Sequence, residues 1–479
     1  MIRYKATGAL RLAALSLLVL AAQPARASEL SELRAELDAV KSSYQAQLSA
    51  LEARVAQLES QLAAASSAAP SSAPTAGATA GVAPPAAVMA PSAPGGGGGQ
   101  NAFNPAVSVI LGGRFAQLSE DPADYRIAGF MPTGAEVGPG PRGFTLGESE
   151  LTLAANVDPY FFANLTTAIT GDNSISVEEA YVKTIALPSG LSLKAGRFFS
   201  SLGYVNEIHS HAWDFVDQPL VYQAMLGGQL AQDGAQLKWV APTDLFVELG
   251  AETGDGGQFP RTRLQGNGLN GGALLAHVGD DIGDSTSWRA GLSWLSARAE
   301  NRSFSDVAAG GGPIEDAFSG NSRTWVLDGI LKWSPHGNAT VHSLKLQAEY
   351  LQRSEDGQLA ATINQLTVAA PFRSRQSGWY LQGVYQFLPR WRFGARYDAL
   401  DSGTVHIGLV DSGVLPASSF PTLAPATPSR VSLMFDWNPS EFTRLRMQYA
   451  WDDARLDNRD RQLLLQYLYS IGAHGAHKF

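Results

Sequence analysis

The chain of 479 residues contains no cysteine. That excludes a disulfide framework, a thiolate metal site and a cysteine nucleophile. Charge is scarce as well: 16% of residues are Asp, Glu, Lys or Arg, the formal net charge is -9 and the isoelectric point is near 5.4. An acidic balance of this kind argues against nucleic acid as the main partner. No second long apolar run follows the N-terminus, so the rest of the chain offers no helix of the roughly 20 apolar residues that cross a bilayer. Yet a mean hydropathy of -0.07 is too apolar for a disordered chain. A membrane β-barrel reconciles these facts, because lipid-facing and lumen-facing residues alternate along its strands and average out. The length suits such a barrel plus an appendage.

Residues 1–27 read as a secretory signal. Arg3, Lys5 and Arg11 form a basic start, Leu12–Ala22 an apolar stretch, and Ala25-Arg26-Ala27 a small-x-small cleavage site. In residues 28–62, Leu30, Leu33, Leu37, Val40, Tyr44, Leu48, Leu51, Val55, Leu58 and Leu62 step by threes and fours. This is a coiled-coil seam that would reach about 50 Å as a helix. Such a stripe stays wet on a single helix, so self-association is expected, with a homotrimer favoured over packing on the chain's own barrel. Residues 63–103 are a linker of Ala, Pro, Ser and Gly.

From residue 104 to 479 one unit recurs: a run of alternating residues, a tight turn, a second run, then a longer polar connection. Trp325, Leu327, Gly329, Leu331 and Trp333 alternate with Asp328, Ile330 and Lys332; Leu445, Met447, Tyr449 and Trp451 alternate with Arg444, Arg446 and Gln448. One face suits lipid and the other water. A soluble sandwich also alternates, but would bury these charges without partners. Counting runs predicts an all-β, antiparallel transmembrane barrel of roughly sixteen strands. Long connections are expected near 119–144, 199–232, 254–270, 299–322, 354–376 and 401–428, all on the outer side if both ends are periplasmic. The inward positions include Lys183, Lys194, Lys238, Lys332, Lys345, Arg392, Arg396, Arg444 and Arg446, with Glu148, Glu150, Glu179, Glu248, Asp328, Glu349 and Asp398. Paired charges on a solvated wall are one reading; a transverse field that sets ion preference is the other.

The stretch Leu202–Leu230 stands out as long and aromatic, with two histidines beside two aspartates. It is expected to fold into the lumen and narrow it, with Glu207, His209, His211, Trp213, Asp214 and Asp217 at the constriction. Trp213, Phe215, Leu220, Val221, Tyr222, Met225 and Leu226 would anchor it, and Gly227-Gly228 would turn the chain back. His209, His211 and Asp214 could touch a divalent metal transiently, since imidazole with carboxylate suits zinc. Histidines that only hydrogen-bond the wall are the plainer reading; no resident cofactor is expected. No glycine-flanked nucleophile or oxyanion motif accompanies any Ser–His or Asp–His pair, so the chain is not read as an enzyme. A structural anchor with long outer loops is a further class.

Cleavable leader, coiled coil, sixteen strands and a long third connection together resemble the trimeric phosphate-selective type of outer-membrane porin. The resemblance implies a Gram-negative outer-membrane location, a periplasmic coiled coil, and passive diffusion of small hydrophilic solutes or ions. It departs at loop 202–230, which has no Lys or Arg where those porins carry a basic ladder. The C-terminal Phe479 resembles the signal read by the barrel assembly machinery. The strings His209-Ser210-His211-Ala212-Trp213-Asp214-Phe215 and Gly472-Ala473-His474 also look like uncharacterised proteins labelled TonB-dependent or zinc-regulated receptors. That likeness implies substrate- or metal-specific uptake as the alternative.

Overall fold

A computed structural model describes residues 105–132, 137–171, 174–255, 259–260, 271–307, 312–456 and 458–472. The leader, the coiled coil, the linker and Phe479 lie outside the described residues. The described chain forms one antiparallel sheet closed on itself. Its strands run in order: β1 (Ala106–Leu118), β2 (Gly143–Leu146 with Ser149–Asn156), β3 (Phe161–Ile169), β4 (Ile175–Thr184), β5 (Leu191–Phe199) and β6 (Ala231–Val240). There follow β7 (Phe246–Asp255), β8 (Gly271–Ile282), β9 (Thr286–Val307), β10 (Pro313–Trp333) and β11 (Ser343–Ile363). The last five are β12 (Leu366–Leu388), β13 (Trp391–Ile407), β14 (Ser429–Ser440), β15 (Thr443–Asp452) and β16 (Asp460–Gly472). Both pieces of β2 pair with β1, so they make one crossing, and the barrel has sixteen. β1 also pairs with β16, Ser108 opposite Gly472 through Leu118 opposite Gln462, which closes the ring. Closure leaves no edge, so every ladder N–H and C=O on the lipid side has a partner.

The outer surface is apolar in a band rimmed by aromatics. Trp325, Tyr350, Trp379, Tyr397 and Trp451 are exposed along one rim, and Tyr385, Tyr467 and Tyr469 along the other. Trp391 and Trp437 stack there at 5.6 Å. Between the rims Leu327, Leu381, Phe393, Phe435, Met447 and Leu465 face outward. Inward positions of the same strands are charged or amidic: Gln347, Glu349, Gln382, Arg396, Asp436, Arg446 and Gln448 are all buried. That polarity, apolar outside and polar within, is the reverse of a soluble barrel and belongs in lipid.

Two expected connections are strands instead. The sequence pattern predicts loops over 299–322 and 354–376, but β9 to β12 are 22, 21, 21 and 23 residues long. The β9–β10 ladder continues past a bulge at Ala299/Arg302 to Val307 opposite Pro313. The β11–β12 ladder continues to Ile363 opposite Leu366, closed by Asn364 and Gln365 at φ of 48° and 68°. Positive φ at both central residues is the two-residue turn whose twist suits a hairpin. Above the aromatic rim the alternation changes phase. Arg323, Asp356, Arg373 and Arg375 face out, while Phe304, Ile314, Phe318, Leu359, Ala361 and Phe372 face in and pack on Met131, Leu409, Phe420 and Leu423 from two further connections. A pattern sought as apolar-out cannot register strands that are apolar-in.

If the rimmed band lies in lipid, Met447→Arg, at the middle of β15 with Phe435 and Leu465 as outward neighbours, should cost about 2–4 kcal/mol. Asp356→Arg, beyond the band, should change stability by less than about 0.5 kcal/mol. Chemical unfolding from lipid vesicles measures both; equal effects would place the band outside lipid.

Candidate functional site

The connection between β5 and β6 turns into the barrel and touches most of its wall. Asn206 closes its neck: the amide donates to Ser200 O at 2.7 Å and Leu230 O at 3.0 Å, and its oxygen accepts from Leu230 N at 2.8 Å. Glu252 on β7 holds the first turn, accepting from Ser200 Oγ at 2.5 Å and Ser201 N at 2.8 Å. Glu207 accepts from Ser201 and pairs with Lys238 of β6 at 3.2 Å. Lys238 lies 3.5 Å from Glu248, which sits 3.0 Å from His277 Nδ1.

Glu349 of β11 is the hub beneath the next turn. It accepts from Tyr204 N at 3.1 Å, Val205 N at 3.2 Å, and the hydroxyls of Tyr222 and Tyr380, both at 2.6 Å. The approach is close enough to require Gly203, whose φ is 67° and where a Cβ would collide with the Glu349 carboxylate. A short helix, α1 (Leu220–Leu226), follows, and all seven of its residues are buried. It packs with Leu202, Val205, Val326, Leu351, Tyr380 and Leu400. Leu220 N donates to Asp398 at 2.9 Å at its start. Arg353, wholly buried, donates to the Ala224 and Met225 carbonyls at its end, where unpaired carbonyls welcome a cation. Gly227 ends the helix at φ 73°.

Between Glu207 and α1 the connection meets two charged patches of opposite sign. His209 Nδ1 lies 3.1 Å from Glu178 and 3.3 Å from Glu150, and its Nε2 lies 3.1 Å from Glu179. His211 Nδ1 lies 2.7 Å from Glu150, and the two imidazoles stack at 5.8 Å. Ser210 donates to Glu148. Burial alone would lower the His209 imidazole, but its hydrogen bonds to Glu150, Glu178 and Glu179 raise it well above its ordinary value. Asp214 and Asp217 meet the basic patch. Asp214 lies 2.7 Å from Lys345 Nζ and 3.3 Å from Arg392 Nη1. Asp217 lies 2.8 Å from Arg396 Nη2 and 2.7 Å from Arg430 Nη1, and accepts from Gln448 at 2.8 Å. Burial would push both carboxyls up; Lys345 and Arg392 hold Asp214 well below its ordinary range. Arg430 and Arg396 likewise bring Asp217 down from 3.8 to about 2. Phe215 lies under the Arg396 guanidinium at 4.6 Å.

The residues singled out from sequence thus divide. His209 and His211 come together, while Asp214 is bound by Lys345 and Arg392; the carboxylates beside the histidines are Glu150, Glu178 and Glu179. Trp213 donates to Ile208 O at 2.7 Å within its own connection. Arg444 donates to His211 O at 3.1 Å, and Arg446 pairs with Asp436 at 2.8 Å. Lys183 and Lys194 are register partners, with Lys194 Nζ 4.7 Å from the Tyr181 ring. Alternation could not find Glu178, because the β3–β4 register slips between Thr166/Glu179 and Thr167/Val177. Glu178 is the extra residue of that bulge, a device that re-aims a side chain. Arg430 and Arg353 occupy ordinary inward positions, and the alternation could have found them.

No family model matches the chain. An uncharacterized protein of Aquifex aeolicus (strain VF5) is 31% identical over 405 residues, covering 79% of this chain and 81% of its own. Among solved structures, a loop L8 deletion mutant of OmpT, an outer membrane protein of Vibrio cholerae, is 12% identical with a TM-score of 0.49, covering 76% of this chain and 98% of that one. The outer membrane channel DcaP of Acinetobacter baumannii is 14% identical with a TM-score of 0.45 and coverages of 78% and 99%. The anion-selective porin from Comamonas acidovorans is 11% identical with a TM-score of 0.43 and coverages of 76% and 98%.

Removing Asp217 leaves two buried arginines short of a partner, so Asp217→Ala should destabilise the docked connection by about 3–5 kcal/mol, read as a lower unfolding midpoint in detergent. The same contact sets an acid limit. Asp217 is lowered from 3.8 to about 2 on folding, so its stabilisation is complete above pH 4 and drains away as pH falls toward 2. The variant's stability should accordingly fall less over that window; parallel curves would contradict the assignment.

Proposed function

We propose that this chain, which belongs to one family with the uncharacterized Aquifex aeolicus protein, is an outer-membrane porin. Small hydrophilic solutes or ions diffuse passively through its lumen, narrowed by the third outer connection. The observation that carries the reading is the segment 200–230, held by wall groups from β2, β4, β7 and β11 to β15 inside a barrel whose exterior is apolar. A connection anchored on so many strands crosses the lumen rather than standing above it. Its constriction residues are Glu207, His209, His211, Trp213, Asp214 and Asp217.

The wall presents a carboxylate-rich patch and an arginine-rich patch, the latter partly neutralised by its own carboxylates, Asp436 with Arg392 and Arg446 and Asp398 with Arg396. Glu150, Glu178 and Glu179 come from β2 and β4, with Glu148 in the break of β2, whereas Lys345, Arg392, Arg396, Arg430, Arg444 and Arg446 come from β11 and β13 to β15. Opposed patches of this kind make a field across a pore, which orients dipolar solutes and biases ion passage. Short turns face the periplasm and long connections the exterior, with the coiled coil of residues 28–62 in the periplasm assisting a homotrimer. Phe479 engages the assembly machinery. The reading assigns no catalytic residue.

Deleting residues 205–226 should raise single-channel conductance in planar bilayers several-fold. Unchanged conductance would mean that the connection does not limit flow, and no conductance from wild type or variant would end the porin reading.

A further inference from the structure

The patch around His209 offers more than a docking contact. We propose that His209 Nδ1, Glu150 Oε2 and Glu178 Oε2 bind one divalent transition-metal ion of the zinc type, pinning the third connection to the wall. The proposal shares with the porin reading the placement of that connection inside the barrel, but does not need the pore to conduct.

Distances are the first support. The ligand atoms of Glu150, Glu178 and His209 all lie within 4.8 Å of one another. Nδ1 is 3.1 Å from one carboxylate oxygen and 3.3 Å from the other. A tetrahedral zinc ion with bonds of about 2.0–2.1 Å separates its ligands by about 3.3 Å. A direct charge-assisted N–H···O bond is shorter, about 2.7–2.9 Å. His211 Nδ1 to Glu150 Oε1, at 2.7 Å, is such a bond; the two His209 Nδ1 contacts are hydrogen bonds at the long end of the range, and their lengths match the ligand–ligand edge of a tetrahedral ion that would replace the Nδ1 proton.

The surroundings are the second support. A ligating histidine almost always turns its other nitrogen to a carboxylate or carbonyl, and ligating carboxylates are themselves held. His209 Nε2 lies 3.1 Å from Glu179 Oε2, and the second oxygen of Glu150 is held by His211. Glu178 comes from the β4 bulge, and Glu150 from a regular ladder position of β2, opposite Ile110 and Ala168. The Glu150 side chain is 1% exposed and that of Glu178 12%, so the site is largely shielded from water.

Chemistry narrows the ion. One imidazole and two carboxylates suit zinc or manganese and fall short of the six to eight oxygens calcium prefers. Three protein ligands leave a position for water or for a donor on a passing solute. Because His209 belongs to the connection and the glutamates to the wall, metal binding and docking are one event.

The test uses the full exported chain in detergent, stripped with chelator and titrated calorimetrically with zinc chloride, with magnesium as the control. We expect one zinc per chain. His209→Ala should weaken binding at least 100-fold, and Glu179→Gln, which reaches the ion only through His209, by about 10–100-fold. Replacing the tail histidines His474 and His477 with Ala should change nothing. If His209→Ala does not fold, Glu178→Gln and Glu179→Gln decide. No zinc uptake by wild type, or wild-type affinity in the folded variants, would overturn the site. Zinc binding without conductance would sink the porin reading and leave the site standing; conductance without zinc binding would do the reverse.

Discussion

A buried charge must have a partner, and this barrel is arranged around that constraint. Its inner wall carries ionised groups on nearly every strand, and a wall of this kind is stable only where water or opposite charge reaches it. The third connection supplies partners locally: imidazoles that hydrogen-bond the acidic patch, carboxylates that pair with the basic one. Asp217 between Arg396 and Arg430, and His209 between Glu150, Glu178 and Glu179, fix the same segment on two patches. Together with the Asn206 neck and the Glu349 hub, they leave the segment one way to lie. An apolar loop of equal length could fill the space but would leave both patches unpaired.

The molecule solves its packing differently at two levels. Across the apolar band, side chains turn their apolar face to lipid and their polar face to the lumen. Above it, where the strands of β9 to β12 stand in water, the phase reverses and Phe304, Phe318 and Phe372 point inward against Met131, Phe420 and Leu423. The upper part is therefore built like a soluble protein, with an interior apolar core and charged exterior. In the β11–β12 ladder the change of phase costs no backbone register, since pairing runs without interruption from Ser354/Arg375 to Ile363/Leu366, whereas the β9–β10 ladder absorbs a bulge at Ala299/Arg302.

Much of this was legible in the sequence. Alternation marked the strands and their inward charges, and the unusual density of aromatics, histidines and aspartates marked the third connection. What escaped had physical causes. The upper strands are not legible as strands because an apolar-out pattern, with lipid outside every strand, does not describe them. Glu178 was missed because a bulge moves it, and bulges leave no periodic trace. Asp214 was grouped with the histidines because it is near them in sequence, whereas Lys345 and Arg392 bind it in space. Charge complementarity between distant segments cannot be read from spacing within one of them.

The central claim is that the third connection lies inside the cylinder, and the absence of cysteine makes it directly measurable. Ala224→Cys places a single thiol on the buried helix, at a position 1% exposed, and Val414→Cys one at a position 55% exposed. The rate of labelling by a membrane-impermeant maleimide on intact cells compares them. The account predicts rapid reaction at 414 and protection at 224 until the barrel is unfolded. Equal rates in the folded protein would put the connection outside and contradict it.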